Sequence, residues 1–450
     1  METASLQFTS FKNNRLRDIA SLLVDPSVGI LKEVKQVPRF AGDPEFFHFS
    51  CQACNSSAFA DEKNFNNTGG ASIYKDVAKA KAIGEAIERY SSAIYDRNEL
   101  PLTTYADAPF TCAPPSDFAL YADWQYEQED FLFVPFTDYT PVRWVESLEI
   151  YTGQSVFIPA ASVYMPYLYY QGTGDAPILQ PISTGMAAHM SFYDATISAI
   201  CEVIERDAVM LMWQAMMSLP QIRIETLSDT NYDIVRRLEQ NGSRVIMFNS
   251  TLDHGIPTIL SVLKTNGQPD TPALIFAGAS DPDPEKAARK SLEELPHTRR
   301  YCSRLMQHSP SFPADFPHHR NVTDQAQHLH FYCDHQLAHH ADFVFKSAKR
   351  VDFDSIQSLV GETREDTLWN LLRAVYSIGE RVYVKDMTTP DVGNLGFHVV
   401  RVVIPGMQRL CMGFQNRCLG GNRLWTAPQA LGYPGIHPDT GDNPAPHAYP

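Results

Sequence analysis

No segment of the form G-x-x-x-x-G-K-[ST] occurs anywhere in the chain, so it carries no ordinary phosphate loop. No run approaches the roughly 18 apolar residues of a spanning helix. Residues 1–17 lack the apolar centre of a secretory signal. No membrane partner is expected. Cysteine is sparse, with eight in 450 residues, so reduced thiols in a cytoplasm are expected rather than a disulfide framework. Cys51-Gln52-Ala53-Cys54 has no second C-x-x-C to complete a Cys₄ zinc site, and reads as unpaired structural or surface thiols. Positive charge is also short. Thirty-seven Lys and Arg stand against fifty-two Asp and Glu, a net charge of −15, which argues against a general phosphate-backbone binder and against a nucleic-acid partner. A local basic pocket stays open.

What is present is a folded-chain composition, 44% hydrophobic and 20% charged, long enough for one large domain or two to three ordinary ones. Apolar spacing predicts helices over 71–95, 193–216, 284–306 and 366–380. Gly69-Gly70 suits a tight turn into the first of them. Ser155–Ile158, Arg244–Phe248, Thr258–Val262, Arg381–Val384 and His398–Ile404 read as strands. Residues 308–345, rich in Pro, His and Asp, read as a loop-rich insertion. Their His328, His330, Cys333, Asp334, His335, His339 and His340 match no standard metal spacing. The segment from Pro428 onward reads as extended. No composition shift marks a clean boundary, so one interwoven unit with appendages is expected.

One internal repeat carries the chemistry. Residues 78–89 and 195–206 both fit A-x-x-x-A-I-x-E-x-I-E-R, giving Glu85, Glu88 and Arg89 in one copy and Glu202, Glu205 and Arg206 in the other. Glutamates three apart on a helix share a face, with Cβ atoms about 5–6 Å apart. Carboxylates that close repel unless a cation lies between them. The apolar neighbours place each pair near a packed surface, and two such helices together assemble four carboxylates. Oxygen donors of this kind suit Mg²⁺, which binds substrate phosphates alongside. A single E-x-x-E-R is ordinarily a solvated helix face. Retention of both Glu and the Arg in two copies is what argues for a site. The predicted third helix adds Arg289 and Glu293 at i, i+4 spacing, by itself a weak signal.

Together these residues resemble the YcaO superfamily of ATP-dependent enzymes that modify peptide backbones. The duplicated E-x-x-E-R helices, the Ser183-Thr184-Gly185-Met186-Ala187-Ala188 loop and the Arg289–Glu293 pair occur in the family's order. Asp386-Met387-Thr388, the 396–406 stretch and Gly420-Gly421-Asn422-Arg423-Leu424 are similar too. The resemblance spans residues 20–450. It implies an α+β, YcaO-type fold, with mixed sheets packed with helices and the pseudo-duplicated helices around a Mg–ATP site. The division it suggests is a lead-in over 1–65, a catalytic domain over 66–405 and an extension with a proline-rich tail over 406–450.

Azoline-forming members finish in P-x-P-x-P. Here Pro446 and Pro450 match the outer prolines and Ala448 takes the middle place, a departure expected to loosen the tail. The family's acidic position before the second E-x-x-E-R is filled by Asp194. Met190 stands where an Asn is frequent, and His189 where a Gly is. The resemblance implies that a Cys, Ser or Thr of a ribosomal precursor peptide attacks the preceding backbone carbonyl. ATP phosphorylates the resulting oxyanion, and loss of phosphate leaves a thiazoline or oxazoline. It gives Glu85, Glu88, Glu202 and Glu205 to Mg²⁺. Arg89, Arg206 and Arg289 would serve phosphates or orient carboxylates, Asp194 would bind nucleotide, and Glu293 would support Arg289 or touch nucleotide. The tail from Pro446 to Pro450 would order the site or move a proton. Thioamide or amidine formation and a non-catalytic ATP-binding scaffold are the alternatives.

Fused cyclodehydratases carry an N-terminal region resembling ubiquitin-activating enzymes. This chain begins close to its YcaO-like segment, so a separate activator protein is the expected partner. The resemblance also allows a flavin dehydrogenase that oxidises azolines, and a homodimer within a hetero-oligomeric complex.

Overall fold

The computed structural model describes residues 19–39, 43–240, 242–265, 267, 270–309, 311–437 and 441–450; the reading of residues 1–17 lies outside them. Strands β1 (Leu31–Val37), β2 (Phe47–Ala53) and β3 (Asn67–Ser72) lead into helix α1 (Lys75–Ser92). Strands β4 (Leu102–Thr103), β5 (Val142–Glu149), β6 (Gln154–Pro159) and β7 (Met186–His189) lead into α2 (Phe192–Gln214). Next come β8 (Gln221–Ile222), α3 (Asp229–Glu239), β9 (Arg244–Asn249), β10 (Thr258–Lys264), β11 (Leu274–Ser280) and α4 (Pro284–His308). The chain closes with α5 (Gln325–Cys333), β12 (Arg350–Val351), α6 (Arg364–Ser377), β13 (Tyr383–Asp386), β14 (His398–Val403) and α7 (Asn422–Ala430). Among the described residues no helix is long and apolar enough to cross a membrane.

Among the described residues three mixed or antiparallel sheets form, in the orders β1-β2-β3, β11-β10-β9-β8-β12 and β4-β5-β13-β14-β7, with β6 paired to β5. The α+β expectation holds. α1 buries Ala78, Ala82, Ile83, Ala86, Ile87 and Tyr90, the stripe that 3.6-residue spacing puts on one face. The small alanines let β2 and β3 lie close beneath it. α2 is buried around most of its circumference because β7, β14, β11 and α6 all pack on it. Ser191 caps its first turn by accepting the Asp194 N–H. Removing a buried isoleucine such as Ile83 or Ile200 from either helix costs about 2–5 kcal/mol.

Three local expectations are corrected. Gly69 and Gly70 lie inside β3, not in a turn. The strand presses so closely on α1 that a Cβ on Gly70 would stand 2.5 Å from the Ala78 carbonyl. Residues 308–345 are not all loop: α5 begins at a capping box in which Asp324 and Gln327 satisfy each other's backbone N–H. Pro428, taken as the start of an extended tail, sits inside α7.

Candidate active site

Sequence repeat and structural repeat coincide. β3 feeds α1 and β7 feeds α2, and each strand unit supplies a glycine N–H to the first glutamate of its helix. Gly69 donates to Glu85 Oε2 at 3.3 Å and Gly185 to Glu202 Oε2 at 2.9 Å. One turn on, the arginine returns to the same carboxylate, Arg89 to Glu85 at 3.5 Å and Arg206 to Glu202 at 2.9 Å. Arg89 also reaches Glu88 at 3.4 Å, and Arg206 donates to Thr184 Oγ1 at 2.8 Å. Both helices pack on β7, so the two acidic pairs meet across that edge strand. Gly185 makes the junction feasible. Its φ is +85°, and a Cβ there would lie 2.3 Å from the Val402 carbonyl of β14.

The second glutamate of each pair lies deeper than the first. Burial, resisted by Arg89 and reinforced by Glu202 and Glu85, pushes Glu88 up to about 8. Burial pushes Glu205 up to about 7, against the hydrogen bond donated by the Tyr449 hydroxyl and the charge of Arg206. Glu88 on α1 thus feels Glu202 and Arg206 on α2 as members of one charge cluster. α4 closes a third side. Lys81 of α1 pairs with Glu293 at 3.0 Å and Glu294 at 3.4 Å, and Lys290 pairs with Asp281 at 2.7 Å.

One expected contact is absent, and one candidate residue stands apart from the carboxylates. Arg289 and Glu293 form no ion pair. Glu293 faces inward and takes the Ser72 hydroxyl at 2.6 Å together with Lys81, while Arg289 is half-buried and makes no ion pair among the described residues. Asp194 stands in the first turn of α2, held by Arg364 and 3.7 Å from His189 Nδ1. Eight residues of helical rise put it about 12 Å along the axis from Glu202, outside the carboxylate cluster.

The tail is not loosened by Ala448. Tyr332 donates to the Pro446 carbonyl at 2.7 Å and Trp213 to the Ala445 carbonyl at 3.0 Å, while Ala448 and Tyr449 are buried and Pro450 half-buried. Side-chain donors fix this backbone, so proline stiffness is not needed. His447 and His328 stack at 3.8 Å, and with Cys411 they gather three metal-type ligand atoms within 4.8 Å. Every ring nitrogen there is already used. His328 bonds the His447 carbonyl and the Gly413 N–H; His447 bonds the Cys411 carbonyl and the Tyr449 N–H. The trio is a clasp for the tail. The other histidines of the 328–340 stretch join no metal-type group among the described residues: His330 bonds the Ser309 carbonyl, His335 bonds the Thr271 carbonyl, and His339 and His340 lie against each other at 4.2 Å. Cys51 and Cys54 belong to no metal-type grouping among the described residues.

Sequence reading missed three residues of the cluster. Tyr449 reaches Glu205 from 244 positions away. Arg409 donates to the Gln180 carbonyl at 3.1 Å. Arg401 is buried on β14, where a lone arginine in a run of valines was the available signal.

Oxygen donors grouped this closely match the hard-ligand preference of Mg²⁺. Arg206 Nε and Arg401 Nε and Nη1 are buried without hydrogen-bond partners, and Arg89 Nη1 has only its 3.4 Å ion pair to Glu88, a donor set that phosphate oxygens satisfy. The residues therefore fit a metal-bridged phosphate ligand. The YcaO family profile, described as YcaO cyclodehydratase, ATP- and Mg²⁺-binding, matches residues 69–408. The chain belongs to the YcaO family. A heterocyclase in complex with substrate and cofactor superposes with a TM-score of 0.78 at 19% identity, over 97% of this chain and 57% of that one. YcaO from Methanopyrus kandleri, bound with AMPPCP and Mg²⁺, gives 0.62 at 19% identity over 88% and 90%. The E. coli microcin synthetase McbBCD complex gives 0.56 at 14% identity over 83% and 88%. An uncharacterised protein from the tfuA 3′ region of Rhizobium leguminosarum bv. trifolii is 27% identical over 168 residues, 35% of this chain and 39% of its own. The chain thus spans little more than half of the first heterocyclase and less of the Rhizobium protein.

For this YcaO protein the buried glutamates set a pH dependence. Folding raises Glu88 and Glu205 above their ordinary 4.5, so the folded chain holds more protons than the unfolded one between about pH 5 and 8. Stability without metal is complete below that window and falls as pH rises through it, by at most about 1.4 kcal/mol per pH unit per group. Mg²⁺ needs the ionised oxygens, so its affinity should rise from pH 6 to 8 with release of protons. Calorimetry in two buffers of different ionisation enthalpy reads both; an affinity flat across that range contradicts the cluster as the metal site.

Proposed function

We propose that this chain is the ATP-dependent cyclodehydratase subunit that converts Cys, Ser or Thr of a ribosomal precursor peptide into thiazoline or oxazoline. The observation that carries the reading is the meeting of four glutamates and partnerless buried guanidinium nitrogens at one strand edge, with the proline-rich tail seated on Glu205. An amide oxygen leaves poorly. ATP bound with Mg²⁺ would supply the phosphoryl group that makes it a good leaving group. The chain's task is then positioning and charge neutralisation.

Glu85, Glu88, Glu202 and Glu205 offer oxygens to the metal. Arg89 and Arg206 hold Glu85 and Glu202 in register, and Arg206 keeps Nε free for phosphate. Glu293 braces α1 against α4 through Lys81. Asp194, outside the cluster, can meet only a more distant part of the nucleotide. Tyr449 donates its proton to Glu205 Oε1 and accepts the Gly278 N–H at 3.1 Å, which fixes the tail at the site. That seat favours azoline formation over thioamide or amidine formation.

The McbBCD and substrate-bound heterocyclase relatives support a precursor peptide and partner proteins. The partner expected here resembles ubiquitin-activating enzymes and delivers the peptide. A flavin dehydrogenase would follow where azolines become azoles. The test incubates the chain with a Cys/Ser/Thr-rich precursor, its activator and Mg²⁺–ATP. Mass spectrometry should show an ATP-dependent loss of one water mass per ring; a peptide of unchanged mass, or a mass change without ATP, contradicts the reading.

A further inference from the structure

Gly420-Gly421-Asn422-Arg423-Leu424 takes no part in the carboxylate cluster, yet Arg423 is buried and fully engaged. It donates to both oxygens of Asp207 on α2 and to both oxygens of Asp253, at 2.7–3.1 Å. Arg423 and Asp253 line a cavity of about 530 Å³, within the size range of small-ligand sites. None of the glutamates or arginines of the metal cluster lines it. Asp207 follows Arg206 directly, and successive side chains point about 100° apart round a helix. α2 thus turns one toward the cluster and the other toward the cavity.

The lining is uneven in charge. Asp117, Asp253 and Glu380 stand against Arg381 and Arg423, and Arg423 is spent on Asp207 and Asp253. Arg381 is exposed and turns to the Tyr376 hydroxyl at 3.4 Å. The Glu380 carboxylate lies against Gly406, where a Cβ would collide with it. Neither Glu380 nor Asp117 forms an ion pair among the described residues, and burial raises both carboxyls. A further acceptor stands behind the same wall. Gln408 is 2% exposed; its Nε2 donates to the Cys418 carbonyl, which fixes the amide, and its Oε1 has no hydrogen-bond partner. That oxygen lies 3.6 Å from where a Cβ on the lining residue Gly421 would stand. Buried acceptors without donors are costly.

The missing member is a positively charged donor, an ammonium or guanidinium. Phe118, Ile378 and Ala427 offer apolar wall to the aliphatic stem that carries such a group. Gly379, Gly420, Asn422 and Thr426 are exposed at the rim, and a Cβ on Gly379 would meet nothing within 4 Å, so a main chain has room to lie across the opening. A net charge of −15 favours the approach of a basic segment.

We propose that this cavity binds a lysine or arginine side chain presented by a peptide segment, its cation held by Glu380, Asp117 and Gln408. The site is separate from the Mg–nucleotide cluster and stands whether or not the chain forms azolines.

The probes are acetyl-Gly-Gly-Arg-Gly-Gly-amide, the same peptide with Gln for Arg, free propylguanidinium and inorganic phosphate, each titrated calorimetrically into the full chain at equal ionic strength. The arginine peptide should bind about tenfold or more tighter than the glutamine peptide and than propylguanidinium. Glu380→Gln keeps an oxygen for Gly406 and should weaken the arginine peptide about fivefold or more. Asp117→Asn, nearer the surface, supplies the same comparison if Glu380→Gln folds poorly. Affinity for Mg²⁺–ATP should change less than about twofold in either variant. Equal binding of the two peptides overturns the site, as does an arginine-peptide affinity unchanged in both variants. Propylguanidinium binding as tightly as the arginine peptide overturns the peptide assignment in favour of a free cation. Phosphate binding more tightly than the arginine peptide overturns the cation reading in favour of an anion at the start of α7. Failure of ring formation with arginine-peptide binding intact would instead sink the functional reading and leave this site standing.

Discussion

Glu202→Ala and Glu85→Ala should each abolish ATP turnover while leaving the chain folded. Both are first members of their pairs and sit at the rim, with side chains 25% and 39% exposed. Each accepts one glycine N–H and one arginine. Cutting back either carboxylate frees those donors toward solvent at a cost of about 1 kcal/mol per hydrogen bond, well inside what a domain of this size tolerates. Neighbouring carboxylates cannot replace the lost oxygens, because Mg²⁺ demands near-ideal octahedral geometry. Phosphate release under Mg²⁺–ATP should fall to below about 1% of the native rate, a barrier increase of more than about 2.7 kcal/mol. The melting temperature should move by a few degrees. Native turnover in either variant would remove the carboxylate cluster from the mechanism. The deeper pair behaves differently. Replacing Glu88 by Gln keeps its shape and removes a carboxyl that resists ionisation, so Glu88→Gln should lose turnover and melt no lower than the native chain.

The parts legible in the sequence are those governed by local periodicity. The stripe Ala78, Ala82, Ile83, Ala86, Ile87 defines α1, and its counterpart defines α2, because helical spacing repeats every few residues whatever surrounds it. Their shared E-x-x-E-R was legible for the same reason. Gly69-Gly70 misled because glycine serves two needs, a positive φ or a close approach of backbones; only the packed strand shows that the second applies. α5 carried a readable capping box at Asp324 and Gln327, outweighed by its Pro-, His- and Asp-rich surroundings. Long-range partners were out of reach. Glu293 has Arg289 one turn away yet binds Lys81, 212 residues distant. Spacing offers a helix neighbour, and burial decides which cation can follow a carboxylate inward. Arg401 is the opposite case. Its isolation within an apolar strand was visible, but the emptiness of its guanidinium fork depends on where Glu88, Glu202 and Arg409 arrive.

Removing Pro446–Pro450 should suppress ring formation far more than nucleotide binding, and it should also destabilise the chain. The segment contributes Tyr449, His447 and Ala448 to the core, so its loss opens a cavity beside Trp213 and Tyr332. A cavity on this scale costs several kcal/mol. Truncation alone therefore mixes a structural effect with a catalytic one. Tyr449→Phe separates them. It keeps the ring and removes only the hydroxyl, leaving the Gly278 N–H and Glu205 Oε1 without that partner at about 1–3 kcal/mol. The Tyr449 hydrogen bond holds Glu205 down against burial. Its loss should raise the Glu205 pKa above 7 and shift the acid limb of the pH–rate profile to higher pH, with the drop in rate largest below neutrality. A purely structural tail would lower activity evenly across pH, in step with the folded fraction. A Tyr449→Phe profile superimposable on the native one would therefore confine the tail to packing, and a truncated chain that forms rings at the native rate would remove it from the reaction altogether.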